Sequence, residues 1–191
     1  RIPIFSMSIG TSICSFTGQM LAMLSLPFFL QETLERSDVI TGLLLTPWPI
    51  ATMIIAPLAG RLVERIHAGI LGGIGMTIFA TGLFLLAILP SNPTNMDIIW
   101  RLFICGSGFG LFQTPNNSTI ISSAPSNRSG GASGMLGTAR LLGQTLGATQ
   151  VAMIFYLVPI NSSQTCLYLA TGFAAVAAIV SCLRISQPHP L

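Results

Sequence analysis

Six runs of apolar residues, each long enough to cross about 30 Å of bilayer hydrocarbon as a helix, are joined by linkers too short to hold a soluble domain. They cover roughly residues 4–30, 39–60, 69–89, 98–121, 130–156 and 165–183. Inside lipid only helices and closed barrels satisfy every backbone polar group. Helix-length runs therefore predict an all-α membrane protein, a bundle of six transmembrane helices with the lipid bilayer as its surroundings. Charge content agrees: 7% of the 191 residues are charged, where soluble domains carry about a quarter.

The few charges orient the bundle. Arg1, Arg61, Arg65, Arg128 and Arg184 fall on one side, and Glu32, Glu35, Asp38 and Asp97 on the other with Arg36 and Arg101. By the positive-inside rule both ends of the chain are cytoplasmic. The arginines are scattered, so there is no nucleic-acid footprint. Cys14, Cys105, Cys166 and Cys182 have no metal-ligand spacing and read as small packing residues. No phosphate-binding loop, HExxH or Cys/His cluster is present, so neither metal nor cofactor is expected. No span contains Asp or Glu, and the serines have no nearby base, so catalysis is not expected. The chain starts at Arg1 and enters an apolar run at once, which reads as a piece lacking its N-terminal part.

Polar residues inside the spans are concentrated in four of them. Gln19 lies in the first, Thr46 and Thr52 in the second, Gln113, Asn116 and Asn117 in the fourth, and Thr138, Arg140, Gln144 and Gln150 in the fifth, with Trp48 of the second as an aromatic candidate for the same lining. Amides and a guanidinium cannot face hydrocarbon cheaply, so these four spans are expected to line an interior while the third and sixth face lipid. Pro47, Pro49 and Pro57 predict a kinked second span. On the fifth span Ser133, Gly137, Arg140, Gln144 and Gly147 recur at spacings of four and three, hence on one face. Gly106, Gly110, Gln113 and Asn117 form a similar stripe on the fourth. Folding the hairpin at Pro125 sets Asn117 level with Ser133, Gln113 with Gly137, Gly110 with Arg140, and Gly106 with Gln144. The spacings of Gly106 with Gly110, Gly130 with Gly134 and Gly143 with Gly147 suit close helix approach. These stripes serve packing, a wet cavity, or both. Cysteines at 110 and 140 are expected to crosslink.

With these residues in view, the chain resembles the C-terminal six-helix half of a major facilitator superfamily transporter. The segment GSGFGLFQTPNNSTIISSAPSNRSGGASGMLGTARLLGQTLG, residues 106–147, is similar to the drug:proton antiporter branch with fourteen spans. Pro115, Pro125, Gly131, Ser133, Gly134, Arg140, Gly143 and Gly147 carry the likeness, as does LLLTPWPIATMIIAPLAG in the second span. The linker GRLVERIHAG resembles a degenerate copy of the superfamily's cytoplasmic gate motif, with Gly60, Glu64 and Arg65 at its glycine, acidic and basic places. His67 and Ala68 depart from it.

The resemblance implies one half of a proton-coupled exporter of drugs or toxic lipophilic compounds in a bacterial inner membrane. It implies a small-molecule substrate and an N-terminal half of the same polypeptide as partner. The proton-carrying acid would then lie in that other half. A non-transporting membrane scaffold that binds partners through its glycine faces is the alternative.

Overall fold

The computed structural model describes residues 2–90, 92–123, 129–158 and 160–183. Arg1, Pro125, Arg128 and Arg184, which entered the orientation and hairpin readings, lie outside them. α1 (Ile2–Phe28) runs into a π-helical turn, Phe29–Thr33. α2 (Asp38–Leu45) and α3 (Pro47–Leu62) form one broken column. They are followed by α4 (Ala68–Ala87), α5 (Asn95–Ser122), α6 (Ser129–Leu157) and α7 (Ser162–Leu183). No strand occurs among the described residues.

Polar caps extend the helices past the apolar runs. Thr94 and Asp97 make a capping box at the start of α5, the Thr94 hydroxyl donating to the carboxylate at 2.6 Å and accepting the Asp97 amide at 3.2 Å. The hydroxyl and amide of Thr94 hold the Asp97 carboxyl below the usual carboxylate range. His67, where the gate motif has glycine, caps α4 by accepting the Gly69 amide on Nδ1 at 3.1 Å. The kink predicted in the second span is a break. Pro47 and Pro49 lack N–H groups, which removes two i+4 donors. The Leu43 carbonyl instead accepts from the Thr46 amide at 3.2 Å.

Four columns are long and apolar enough to span a membrane by composition: Ile4–Thr33, Asp38–Leu62, Ala68–Ala87 and Ser162–Leu183. The two remaining columns of the expected six are α5 and α6. Both have the length, at about 42 Å, but their amides, hydroxyls and Arg140 lower their apolarity. Such helices need protein or water beside them more than lipid.

Packing sets the neighbour order α3–α5–α4–α7–α1–α6. That order is palindromic: the first three columns and the last three play equivalent parts, with α1 matching α5, the α2–α3 column matching α6, and α4 matching α7. Inverted repeats of three helices have this form. α4 and α7 join the two triplets. Their outward residues, Ile70, Ile74 and Phe84 on α4 and Leu169, Val176, Ile179 and Leu183 on α7, are apolar and exposed. The outward hydroxyls of Thr77 and Thr81 bond back to their own helix at 2.8 Å each.

α4 crosses α5 closely through a pair of facing glycines. A Cβ on Gly75 would meet the Gly108 carbonyl at 2.8 Å, and a Cβ on Gly108 would meet the Gly75 carbonyl at 2.7 Å. Above it four rings stack edge to face from helix to helix: Trp48 on Phe79 at 5.5 Å, Phe79 on Phe109 at 5.5 Å, and Phe109 on Phe16 at 5.7 Å. This aromatic chain ties α3, α4, α5 and α1 together.

Candidate cavity between α1, α5 and α6

α5 touches α1 and α6 only lightly, and the space between them is a cleft of about 260 Å³. Phe16 of α1, Gln113 and Asn117 of α5, and Ser133, Leu136, Gly137 and Arg140 of α6 line it. Arg140 lies about 16 Å along α6 from its first residue, a distance comparable to half of a hydrocarbon layer about 30 Å thick. Among the described residues, none of Arg140, Gln113 and Asn117 has a side-chain hydrogen bond. The cleft thus offers a fixed positive charge, two amides and a hydroxyl beside one aromatic ring.

The structure brings Gln113, Asn117, Ser133, Gly137 and Arg140 to one place, across a gap and without glycine-to-glycine packing between their helices. Gly106 and Gly110 instead meet α3: a Cβ on Gly106 would strike the Trp48 carbonyl, and one on Gly110 would lie 3.2 Å from the Thr52 Cα. Gly143 and Gly147 meet α1, at 2.6 Å from the Ile13 carbonyl and 2.8 Å from the Thr17 carbonyl. Gly134 and Gly137 have nothing within 4 Å and make no helix contact here.

The level pairing of Gly110 with Arg140 and Gly106 with Gln144 is therefore corrected, and the reason is geometric. Spacings of three and four merge two adjacent ridges of a helix into one apparent face. Gly106, Gly110 and Thr114, four apart, are the ridge that α3 rides on, and Ala139, Gly143, Gly147 and Val151 are the ridge buried against α1. Gln113, Asn117, Ser133 and Arg140 occupy the flanks beside these ridges.

The other sequence candidates separate by burial. Trp48 is 2% exposed and belongs to the core, its indole N–H unpartnered. Asn116 is 1% exposed and clips α5 to α1, its amide donating to Ser12 Oγ at 2.8 Å and to the Ser8 carbonyl at 3.4 Å. Both are corrected from cavity lining to internal packing. Gln19 and Gln144 are half-buried beside the cleft's helices without lining it. In the α3–α4 linker Glu64 and Arg65 are exposed, and near the end of α3 a Cβ on Gly60 would lie 3.7 Å from the Thr114 methyl.

Sequence reasoning missed Thr17, and it placed Thr52 in the lining without showing that both hydroxyls lock the ridges. Thr17 Oγ1 donates to the Gly143 carbonyl at 3.1 Å, and Thr52 Oγ1 to the Gly106 carbonyl at 3.0 Å. Each joins the two helices of one outer pair, α1 with α6 and α3 with α5. Ser8, Thr11, Ser12 and Ser15 on α1 are buried too. Their spacing of three, one and three was the available signal.

The ridge assignment has a direct test. In a background without the native cysteines, a cysteine pair at 52 and 110 is expected to form a disulfide under mild oxidation, since a side chain at 110 sits on Thr52. The pair at 110 and 140 is expected to stay reduced. Crosslinking at 110 and 140 without crosslinking at 52 and 110 would refute the ridge geometry.

Comparison with known proteins gives a consistent picture. The family model described as Major Facilitator Superfamily matches residues 2–148. The uncharacterized transporter YebQ of Escherichia coli (strain K12) is 62% identical over 189 residues, which is 99% of this chain and 41% of that protein. The multidrug resistance protein Stp of Mycobacterium tuberculosis (strain CDC 1551 / Oshkosh) is 33% identical over 75% of this chain and 26% of its own length. The riboflavin transporter RibZ of Clostridioides difficile (strain 630) is 29% identical over 75% of this chain and 31% of its own length. The chain thus spans well under half the length of each of these relatives.

Proposed function

The chain belongs to the Major Facilitator Superfamily, and from that premise we propose that it is one six-helix half of a secondary exporter. Membership makes it a multi-pass membrane transport protein and not an enzyme. In the proposed arrangement α1, the α2–α3 column, α5 and α6 form one wall of a midplane cavity that rocks against a second bundle of the same polypeptide. The membrane is a bacterial inner membrane, and both ends of this segment face the cytoplasm. The substrates are drugs or toxic lipophilic compounds, as the name of one relative suggests, and transport is coupled to protons.

The observation that carries this reading is the cleft. Arg140, Gln113 and Asn117 stand at mid-depth without hydrogen-bond partners among the described residues, in a bundle where the hydroxyls of Thr17, Thr52 and Ser181 donate to backbone carbonyls of neighbouring helices. No acid lines the cleft, so the proton-carrying group belongs to the second bundle.

The test is drug accumulation in inside-out vesicles holding the full-length protein, with and without an imposed proton gradient. Gradient-dependent uptake is expected, and Arg140→Leu is expected to reduce it at least tenfold while the protein still inserts. Uptake indifferent to the gradient removes the proton coupling. No uptake by the inserted wild-type protein favours a non-transporting scaffold, and uptake untouched by Arg140→Leu removes Arg140 from the transport path.

A further inference from the structure

Resting on the transporter reading, we propose that the cleft between α1, α5 and α6 is a subsite for an anionic, acceptor-rich group of the transported molecule, and that lipophilic cations are not its preferred cargo. The lining is rich in donors. Arg140 presents a planar fork of five N–H groups that matches a carboxylate two bonds at a time. The amides of Gln113 and Asn117 and the Ser133 hydroxyl add further donors around the same space.

Nothing in the lining neutralises the guanidinium. The chain's five acidic residues, Glu32, Glu35, Asp38, Glu64 and Asp97, sit at helix ends and in linkers. A cation entering the cleft meets a fixed like charge. An anion meets an attracting one.

Shape narrows the group further. About 260 Å³ is below the range of about 300–1,000 Å³ for whole-ligand pockets, so the cleft takes a head group while the rest of the molecule extends along the open face of α6. Phe16 supplies a wall for a planar ring and is itself held by Phe109, edge on at 5.7 Å. Gly137 leaves the floor open, with nothing within 4 Å of where its Cβ would be.

The experiment uses the full-length protein in phosphatidylcholine nanodiscs and two dyes with the same xanthene core: fluorescein, a carboxylate anion, and rhodamine 6G, a cationic ester. Fluorescence anisotropy is expected to show tighter binding of fluorescein. Arg140→Gln is expected to weaken it about tenfold or more, as loss of a hydrogen bond to a charged group does, and Arg140→Lys to weaken it less. Rhodamine 6G binding is expected to be unchanged or tighter in Arg140→Gln.

Equal effects on both dyes would overturn the proposal, because they mean that Arg140 is neutralised by another part of the polypeptide. So would tight rhodamine 6G binding with no fluorescein binding. Repeating the titration with phosphatidylglycerol in the nanodisc separates the sources of anion. If fluorescein affinity then falls in the wild type alone, a lipid head group owns the subsite and the proposal fails. Uptake of both dyes by proteoliposomes keeps the two readings apart. Export of the cation without binding of the anion sinks only the subsite, whereas export of neither dye sinks the transporter reading and the subsite with it.

Discussion

Valine at position 108 is expected to stop the bundle from assembling, and alanine to weaken it measurably. A Cβ on Gly108 meets the backbone of α4, at the Phe79 amide and at the Gly75 carbonyl 2.7 Å away. Backbone atoms cannot rotate aside as a side chain can, so α4 and α5 would have to separate. That separation would also loosen the Phe79–Phe109 ring contact next to it. Overpacking of this kind costs about 1–3 kcal/mol, and more where nothing can yield. Gly75→Ala attacks the same crossing from the other side, so the two alanine changes should sum to less than their separate effects. Gly134→Ala is the control, since a Cβ there meets nothing within 4 Å. It should be neutral or stabilise by up to about 1 kcal/mol through helix propensity. The measurement is thermal melting of the detergent-solubilised full-length protein. Wild-type melting of Gly108→Val would show that this crossing is not tight.

The columns themselves were legible because apolar length and linker chemistry are local properties. The partners of the glycines were not. Helical periodicity says that Gly106, Gly110, Gln113 and Asn117 share a broad face, yet it cannot say that two neighbouring helices divide that face between them. The division follows from the palindromic order, in which each outer helix packs on the opposite triplet's first column and leaves α5 and α6 apart. Periodicity therefore identified the residues of the cleft and misjudged what the glycines beside them do. Trp48 misled for a related reason. A tryptophan among prolines reads as a cavity or interface residue, but the break at Thr46 turns it inward onto Phe79. The hydroxyls of Thr17 and Thr52 each bond within their own helix and also donate across to a glycine carbonyl, a second bond that residue type alone does not reveal.

Two adjacent asparagines give the sharpest separation of packing from transport. Asn116→Leu preserves bulk and removes the amide that donates to Ser12 Oγ and to the Ser8 carbonyl. The site is 1% exposed, so no water replaces the lost donor, and α5 loses its clip to α1. Side-chain hydrogen bonds between membrane helices contribute about 0.6–1.7 kcal/mol each; two of them predict a loss of about 1–3 kcal/mol and a lower melting temperature. Asn117→Leu changes a half-buried residue that lines the cleft and bonds to no described residue. Its melting temperature should stay near the wild type. Its effect should fall on transport, because an isobutyl group takes the place of a donor beside Gln113 and narrows the gap to Ser133 and Gly137. Asn116→Leu should slow export only in proportion to the protein lost, and Asn117→Leu should slow it per folded molecule. Melting curves and uptake normalised to folded protein distinguish these outcomes. If Asn117→Leu lowers stability as much as Asn116→Leu and leaves normalised uptake intact, both asparagines are packing residues and the cleft is not part of the transport path.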